Sequence, residues 1–163
     1  MLLSDARNDA GLERALARLG PADALVFRHY HLSGEQRRER FDRLARVARL
    51  RGVALIGARV PSGWRCAGIY GAASEVAGQA GIRLATAHSM REIGAAVRAG
   101  ADAILLSPVF PTRSHPGGKV LGPVRFLLLA RQSPLPVIAL GGMTRLRASR
   151  LRVHGWAAID GLA

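Results

Sequence analysis

The chain has 163 residues, 49% of them hydrophobic, enough to bury the core of one compact domain and too few for two. Its formal charge is +13, yet Lys119 is its only lysine and the arginines are strung along helical segments without interleaved aromatics. That argues against a nucleic-acid surface while leaving a field that attracts phosphorylated small molecules.

Cys66 is the sole cysteine, which excludes a disulfide framework and a thiolate metal cluster and marks a small apolar packing residue. There is no run of 18 apolar residues and no basic segment followed by an apolar one at the start, so a soluble cytoplasmic protein without a membrane span is expected.

Met1-Leu-Leu3 is a short apolar opening that stops at Ser4-Asp5. Leu12, Ala15, Leu16 and Leu19 recur at helical spacing, and Gly20-Pro21 ends that helix. Ala24-Leu-Val-Phe27 reads as a strand, with Arg28-His-Tyr-His31 just beyond it. Ser33 with Gln36 forms a capping box for a helix whose buried stripe is Phe41, Leu44, Val47 and Ala48 and which Gly52 closes. The arginines at 37, 38, 40, 43, 46 and 49 are expected on its solvated face.

Val53-Ala-Leu-Ile56 and Ala67-Gly-Ile-Tyr70 are strands on either side of a turn at Pro61-Ser-Gly63. Ser74 is expected to cap a short helix reaching Ala80. Arg83-Leu-Ala-Thr86 is a strand, and Ser89 with Glu92 forms a second capping box ahead of Ile93, Ala96 and Val97. Gly100 stops that helix.

The stretch from Ala101 to Thr144 is the most informative. Ala103-Ile-Leu-Leu106 is a buried strand opening into a loop with Thr112, Arg113, Ser114, His115 and Lys119, donors suited to an anion. Pro136-Val-Ile-Ala-Leu140 is a second, followed by Gly141-Gly142 and a helix that Thr144 caps. Glycines there let main-chain N–H groups approach phosphate oxygens, and a helix start adds partial positive charge; a tight turn without ligand is the competing reading. Trp156-Ala-Ala-Ile159 is the last strand, ahead of Asp160-Gly161. Gly161 would lie beside the double-glycine turn in a barrel, with Asp160 awkwardly placed for phosphate.

Eight strand candidates separated by helices or loops predict an α/β fold, a compact (β/α)8 barrel over residues 1–163 that lacks the last helix; an open doubly wound sheet is the alternative. Arg28, past the second strand, is expected over the barrel mouth, where an arginine forks onto phosphate. His29, His31 and His88 lie near strand ends without a carboxylate or cysteine at ligand spacing, so no metal ligands are assigned.

Ser107-Pro-Val-Phe-Pro-Thr112 resembles the Gly-Pro-Ile-Phe-Pro-Thr segment of the thiamine phosphate synthase and thiazole tautomerase superfamily. Pro136-Val-Ile-Ala-Leu-Gly-Gly-Met143 resembles its Pro-Val-Val-Ala-Ile-Gly-Gly-Ile. Weaker echoes run from Leu3-Ser4-Asp5 through Phe27-Arg28 and Thr86-Ala-His-Ser89 to Ala157–Gly161. The resemblance implies a (β/α)8 barrel of thiamine biosynthesis, an alkyl transferase in which aminopyrimidine pyrophosphate ionises and thiazole phosphate nitrogen captures the carbocation. It further implies Arg28 on the pyrophosphate, Thr86 near the pyrimidine, and Thr112, Gly141 and Gly142 on the thiazole phosphate. Arg59 is kept, and Lys119 and Gly161 join the phosphate-binding set.

Several positions depart from the family pattern. Val26 and Tyr30 replace glutamine and lysine, Gly57-Ala58 replaces an Asn-Asp pair, Ser74 falls near the second magnesium aspartate, and His115 replaces the loop lysine. Mg2+ is therefore expected only through a substrate's pyrophosphate. Pro108 replaces the tautomerase histidine, leaving His88 or His115 for any proton transfer. The alternatives to a synthase are a non-catalytic phosphate-ligand or regulatory module and a tautomerase-like isomerase. The oligomeric state is left open.

Overall fold

The computed structural model of the chain describes residues 1–114, 117–160 and 162. The strands are β1 (Leu2–Leu3), β2 (Ala24–Phe27), β3 (Ala54–Gly57), β4 (Gly68–Gly71), β5 (Ile82–Ala87), β6 (Ala103–Leu106), β7 (Val137–Ala139) and β8 (Gly155–Trp156). They lie in sequence order in one sheet, and every neighbouring pair is parallel. Leu2 bridges Ala158, and Leu3 N–H donates to the Ala158 carbonyl at 2.9 Å, which closes the sheet into a barrel. Closure removes both sheet edges.

Period-two alternation builds the core. Val26, Ile56, Leu84 and Leu105 point inward and form the barrel interior with Leu3, Ala157 and Ile159. Leu25, Phe27 and Leu55 point outward onto α1 (Leu12–Ala17) and α2 (Gly34–Arg51). Ile104 and Leu106 do the same on the far side, against α4 (Met90–Arg98) and α5 (Gly122–Gln132).

The ends of α2 are where the sequence put them. Gly52 takes φ +67° and its N–H closes onto Ala48 and Arg49. Ser33 is the N-cap, but its hydroxyl donates to Gln36 Oε1 at 3.1 Å and does not cap the helix amides. Ser89 does cap α4, accepting from Glu92 N–H at 3.3 Å, while the Glu92 carboxylate reaches His88 N–H at 2.9 Å.

Several expectations are corrected. A 3-10 turn over Ala6–Gly11 precedes α1, started by a capping box in which Asp5 accepts from Arg7 N–H and Asn8 Oδ1 accepts from Asp5 N–H at 2.9 Å. β3 runs to β4 without a helix between, as the turn expected at Pro61-Ser-Gly63 requires. α3 covers only Ala73–Val76; Ser74 lies inside it, and the Glu75 carboxylate takes the Ala72 N–H at 2.7 Å. α6 (Arg145–Ala148) is four residues, capped by Thr144 as expected. The arginines of α2 do not all face water. Arg40 is 9% exposed, and Arg37 is half-buried across the next strand's end. Among the described residues no helix is long and apolar enough to cross a membrane.

Candidate functional site

The inward-facing rows continue past the strands and change from apolar to polar. Arg28 follows Val26, Thr86 follows Leu84, and Ser107 follows Leu105, each two residues on and so on the same face. With Tyr70 and Leu140 they line a cavity of about 630 Å³ at the carboxyl ends of the strands. A volume of that size suits a small-molecule ligand. Arg59, Thr112, Lys119, Gly141 and Gly142 line the same cavity. His115 and Gly161 lie outside the described residues, so their expected places are not described.

On the β6–β7 side, the loop after β6 lies over the glycine turn. Val109 N–H donates to the Leu140 carbonyl at 2.9 Å and Phe110 N–H to the Gly141 carbonyl at 3.0 Å. Gly141 has φ +95°, and a Cβ there would meet Pro108 Cα at 2.7 Å; Gly142 has φ +61°, and its Cβ would meet the Pro111 carbonyl oxygen at 2.5 Å. Both glycines are thus required by conformation and by close packing. Among the described residues, the N–H groups of Gly141 and Gly142 have no acceptor. A helix start contributes little to this seat, because α6 is a single turn.

On the β2–β4 side the cavity is cationic. Arg28 N–H is held by Ser4 Oγ at 2.8 Å, and its guanidinium lies 3.6 Å from Asp5. Burial pushes the Asp5 carboxyl up, but the hydrogen bonds from Arg7 outweigh it and hold the group below the usual range. Arg7 also stands 3.6 Å from Asp160, which answers the expected clash between Asp160 and phosphate.

Arg59 sits in the left-handed backbone region at φ +49°, a strained setting for a non-glycine residue. Arg37 pins that turn by donating to the Ala58 carbonyl at 2.7 Å and the Arg59 carbonyl at 2.8 Å. The Arg59 side chain reaches Glu75 Oε1 at 2.7 Å. Glu75 is held below the ordinary carboxylate range by the Ala72 N–H and then by Arg59. Arg28, Arg37 and Arg59 all lie within 5.8 Å of the half-exposed Tyr30 ring.

A buried relay supports the Arg28 rim. His29 Nε2 lies 2.8 Å from Asp9 Oδ1 and Nδ1 lies 2.8 Å from Ser4 Oγ. A carboxylate only accepts, so Nε2 carries the hydrogen and Nδ1 accepts from Ser4 in the neutral ring. Burial lowers the His29 pKa more than Asp9 raises it. Arg40 completes the relay, donating to Asp9 Oδ1 at 2.7 Å and to both Glu13 oxygens. His88 is placed differently. Its Nδ1 donates to the Ser107 carbonyl at 2.7 Å, and the residue lines the cavity.

The sequence reading missed Arg7, Tyr70 and Glu75 as cavity residues. Period two past Gly68 was a usable signal for Tyr70; none pointed to Arg7 on its irregular turn. Cys66 is half-buried in the outer apolar cluster, as expected of a packing residue.

The profile of the thiamine monophosphate synthase family matches residues 70–162. The chain belongs to this family. It is 38% identical over 93 residues to a thiamine-phosphate synthase of Salinibacter ruber, a match covering 55% of this chain and 41% of that protein. It is 39% identical over 89 residues to one from Chlorobium luteolum, covering 54% of this chain and 42% of that protein. The chain spans less than half the length of the curated relatives it matches. A thiamine phosphate pyrophosphorylase of Pyrococcus furiosus superposes with a TM-score of 0.79 at 22% identity, over 98% of this chain and 84% of that one, which supports the barrel.

The magnesium site implied by the resemblance does not fit the residues present. A Cβ at Gly57 would meet Val60 Cγ2 at 2.5 Å and Cys66 Sγ at 2.9 Å, so the space for a side chain is filled. Ala58 is fully buried in the barrel interior beside Ile56 and Val26. Ser74 is exposed on α3 and does not line the cavity. Among the described residues no three His, Cys, Asp or Glu side chains gather to hold a metal.

Proposed function

We propose that the chain joins an aminopyrimidine diphosphate to a thiazole phosphate in this cavity, yielding thiamine phosphate and pyrophosphate. One observation carries the reading. In an eight-stranded barrel β2–β3 lie opposite β6–β7, so the arginine side and the free-amide side face each other across one hollow, two anion seats for two anionic substrates.

Arg28 and Arg59 suit the diphosphate and the two glycine amides, with Thr112 and Lys119, the thiazole phosphate. The carbon–oxygen bond to the diphosphate breaks with its electron pair leaving on pyrophosphate, and the thiazole nitrogen lone pair forms the new carbon–nitrogen bond. No nucleophilic side chain and no proton transfer are needed. Positioning and charge stabilisation supply the rate. Thr86, whose hydroxyl donates to the Gly71 carbonyl at 3.3 Å, stands between the two sides, where the pyrimidine would lie.

The test is incubation of the purified chain with both substrates and Mg2+, following thiamine phosphate by chromatography. Equal yields of thiamine phosphate and pyrophosphate, absent without either substrate, support the reading. A second reading, a phosphate-ligand module that has lost the chemistry, is favoured by the apolar filling around Gly57 and Ala58. Saturable binding of thiazole phosphate without turnover would establish it and refute the synthase.

A further inference from the structure

Glu75 and Asp160 line the cavity and Asp5 stands against Arg28, but each of these carboxylates is already engaged by an arginine. Glu75 carries Arg59 at 2.7 Å, Asp5 carries Arg7 at 2.9 Å and Arg28 at 3.6 Å, and Asp160 stands 3.6 Å from Arg7. A carboxylate that coordinates a divalent cation needs free lone pairs aimed at a common point. These are instead spread around the rim as counter-ions of guanidinium groups. Of the two positions where the family pattern has metal carboxylates, one carries the Ala58 methyl, buried in the barrel interior, and the other carries Ser74, exposed on α3 and off the cavity lining.

What the rim does hold is cation. Arg28 is fixed through its N–H by the Ser4 relay, and Arg59 is aimed by a backbone turn that Arg37 clamps through two carbonyls. Guanidinium forks match phosphate oxygens in pairs and keep their charge at every working pH. Two forks set by neighbouring strand ends can spread over the oxygens of a diphosphate.

We propose that this site binds a diphosphate group without a divalent cation, Arg28 and Arg59 neutralising the charge that metal ions would otherwise offset. The proposal rests on the synthase reading, since it concerns the diphosphate half of that site. Under it, Glu75 is a competitor that the ligand displaces from Arg59, and not a metal ligand.

The two roles give opposite outcomes for Glu75→Gln, which keeps an oxygen for the Ala72 N–H but removes the charge. Calorimetric titration of inorganic pyrophosphate is run in EDTA and again as the preformed magnesium complex. For the unaltered chain the two dissociation constants should agree within about threefold. In EDTA, E75Q should tighten binding about two- to fivefold, the release of one exposed ion pair. Weaker binding by E75Q, or a gain of more than about tenfold on adding Mg2+, overturns the proposal. Arg59→Gln carries the test if E75Q does not fold. It should lose about tenfold in both conditions, and unchanged affinity sinks the assignment. Binding seen only with Mg2+ removes the metal-free claim and leaves the synthase reading standing. No saturable pyrophosphate binding in either condition removes both.

Discussion

Replacing Gly142 by alanine strains the double-glycine turn in two separable ways. The backbone holds φ +61°, a region that costs an L-residue about 1–2 kcal/mol. The new Cβ would stand 2.5 Å from the Pro111 carbonyl oxygen and 2.9 Å from Phe110 Cβ, so the neighbour that must yield is largely main chain. Overpacking of that kind adds about 1–3 kcal/mol. The loop cannot simply lift, because Val109 and Phe110 are tied to Leu140 and Gly141 by hydrogen bonds of 2.9 and 3.0 Å. Displacement therefore passes into the amides of the turn and into Thr112 beyond Pro111. We expect urea denaturation to show a loss of about 2–5 kcal/mol with an unchanged m-value. Calorimetry on the folded variant should show thiazole phosphate binding at least about tenfold weaker, the worth of one charge-assisted hydrogen bond. A stability loss under about 0.5 kcal/mol would show that the loop does not rest on Gly142. Unchanged affinity in a folded variant would take these amides out of the ligand site.

Arg28→Ala should weaken pyrophosphate binding about 10–100-fold and thiazole phosphate binding far less, because the two seats face each other across the barrel; equal losses for both ligands would point to misfolding. Stability should also fall on acidification, and the sign follows from His29. Its folded pKa lies below its ordinary 6.5, so the unfolded chain takes up the proton first and the His29 contribution, full above about pH 6.5, is lost as pH drops through the lowered folded value. His29→Gln should flatten thermal melting temperature against pH in the window just below 6.5, above the range where Asp9 and Glu13 titrate. A profile as steep as the parent's would assign the dependence elsewhere.

Local rules located β2 and β6 to the residue and closed α2 at Gly52, since each depends on an apolar run or a glycine stop within a few positions. They failed where partners are distant in the chain. Arg40 looks like one arginine among several on α2, and only Asp9 and Glu13, from another element, turn it into a buried tie. His29 looks like a strand-end histidine until Ser4, 25 residues earlier, and Asp9 are brought to its two ring nitrogens. The departure at Gly57-Ala58 was visible as a lost carboxylate, but its surroundings were not. Ala58 is buried in the barrel interior, and the outward Gly57 is packed against Val60 and Cys66 of the connection from β3 to β4.

The cavity itself follows from the rule that fills the barrel. Val26, Leu84 and Leu105 are inward residues of their strands, and one further step of two gives Arg28, Thr86 and Ser107. The site is the next layer of the core, at the level where apolar side chains stop and backbone pairing opens toward solvent. A guanidinium is accommodated there because it reaches water and a carboxylate at once, whereas one layer lower it would have neither. That boundary sets how far the ligand can descend. Under the proposed reading its charged groups would stay at the Arg28 and Gly142 level, and an uncharged ring would lie between Thr86, Tyr70 and Leu140.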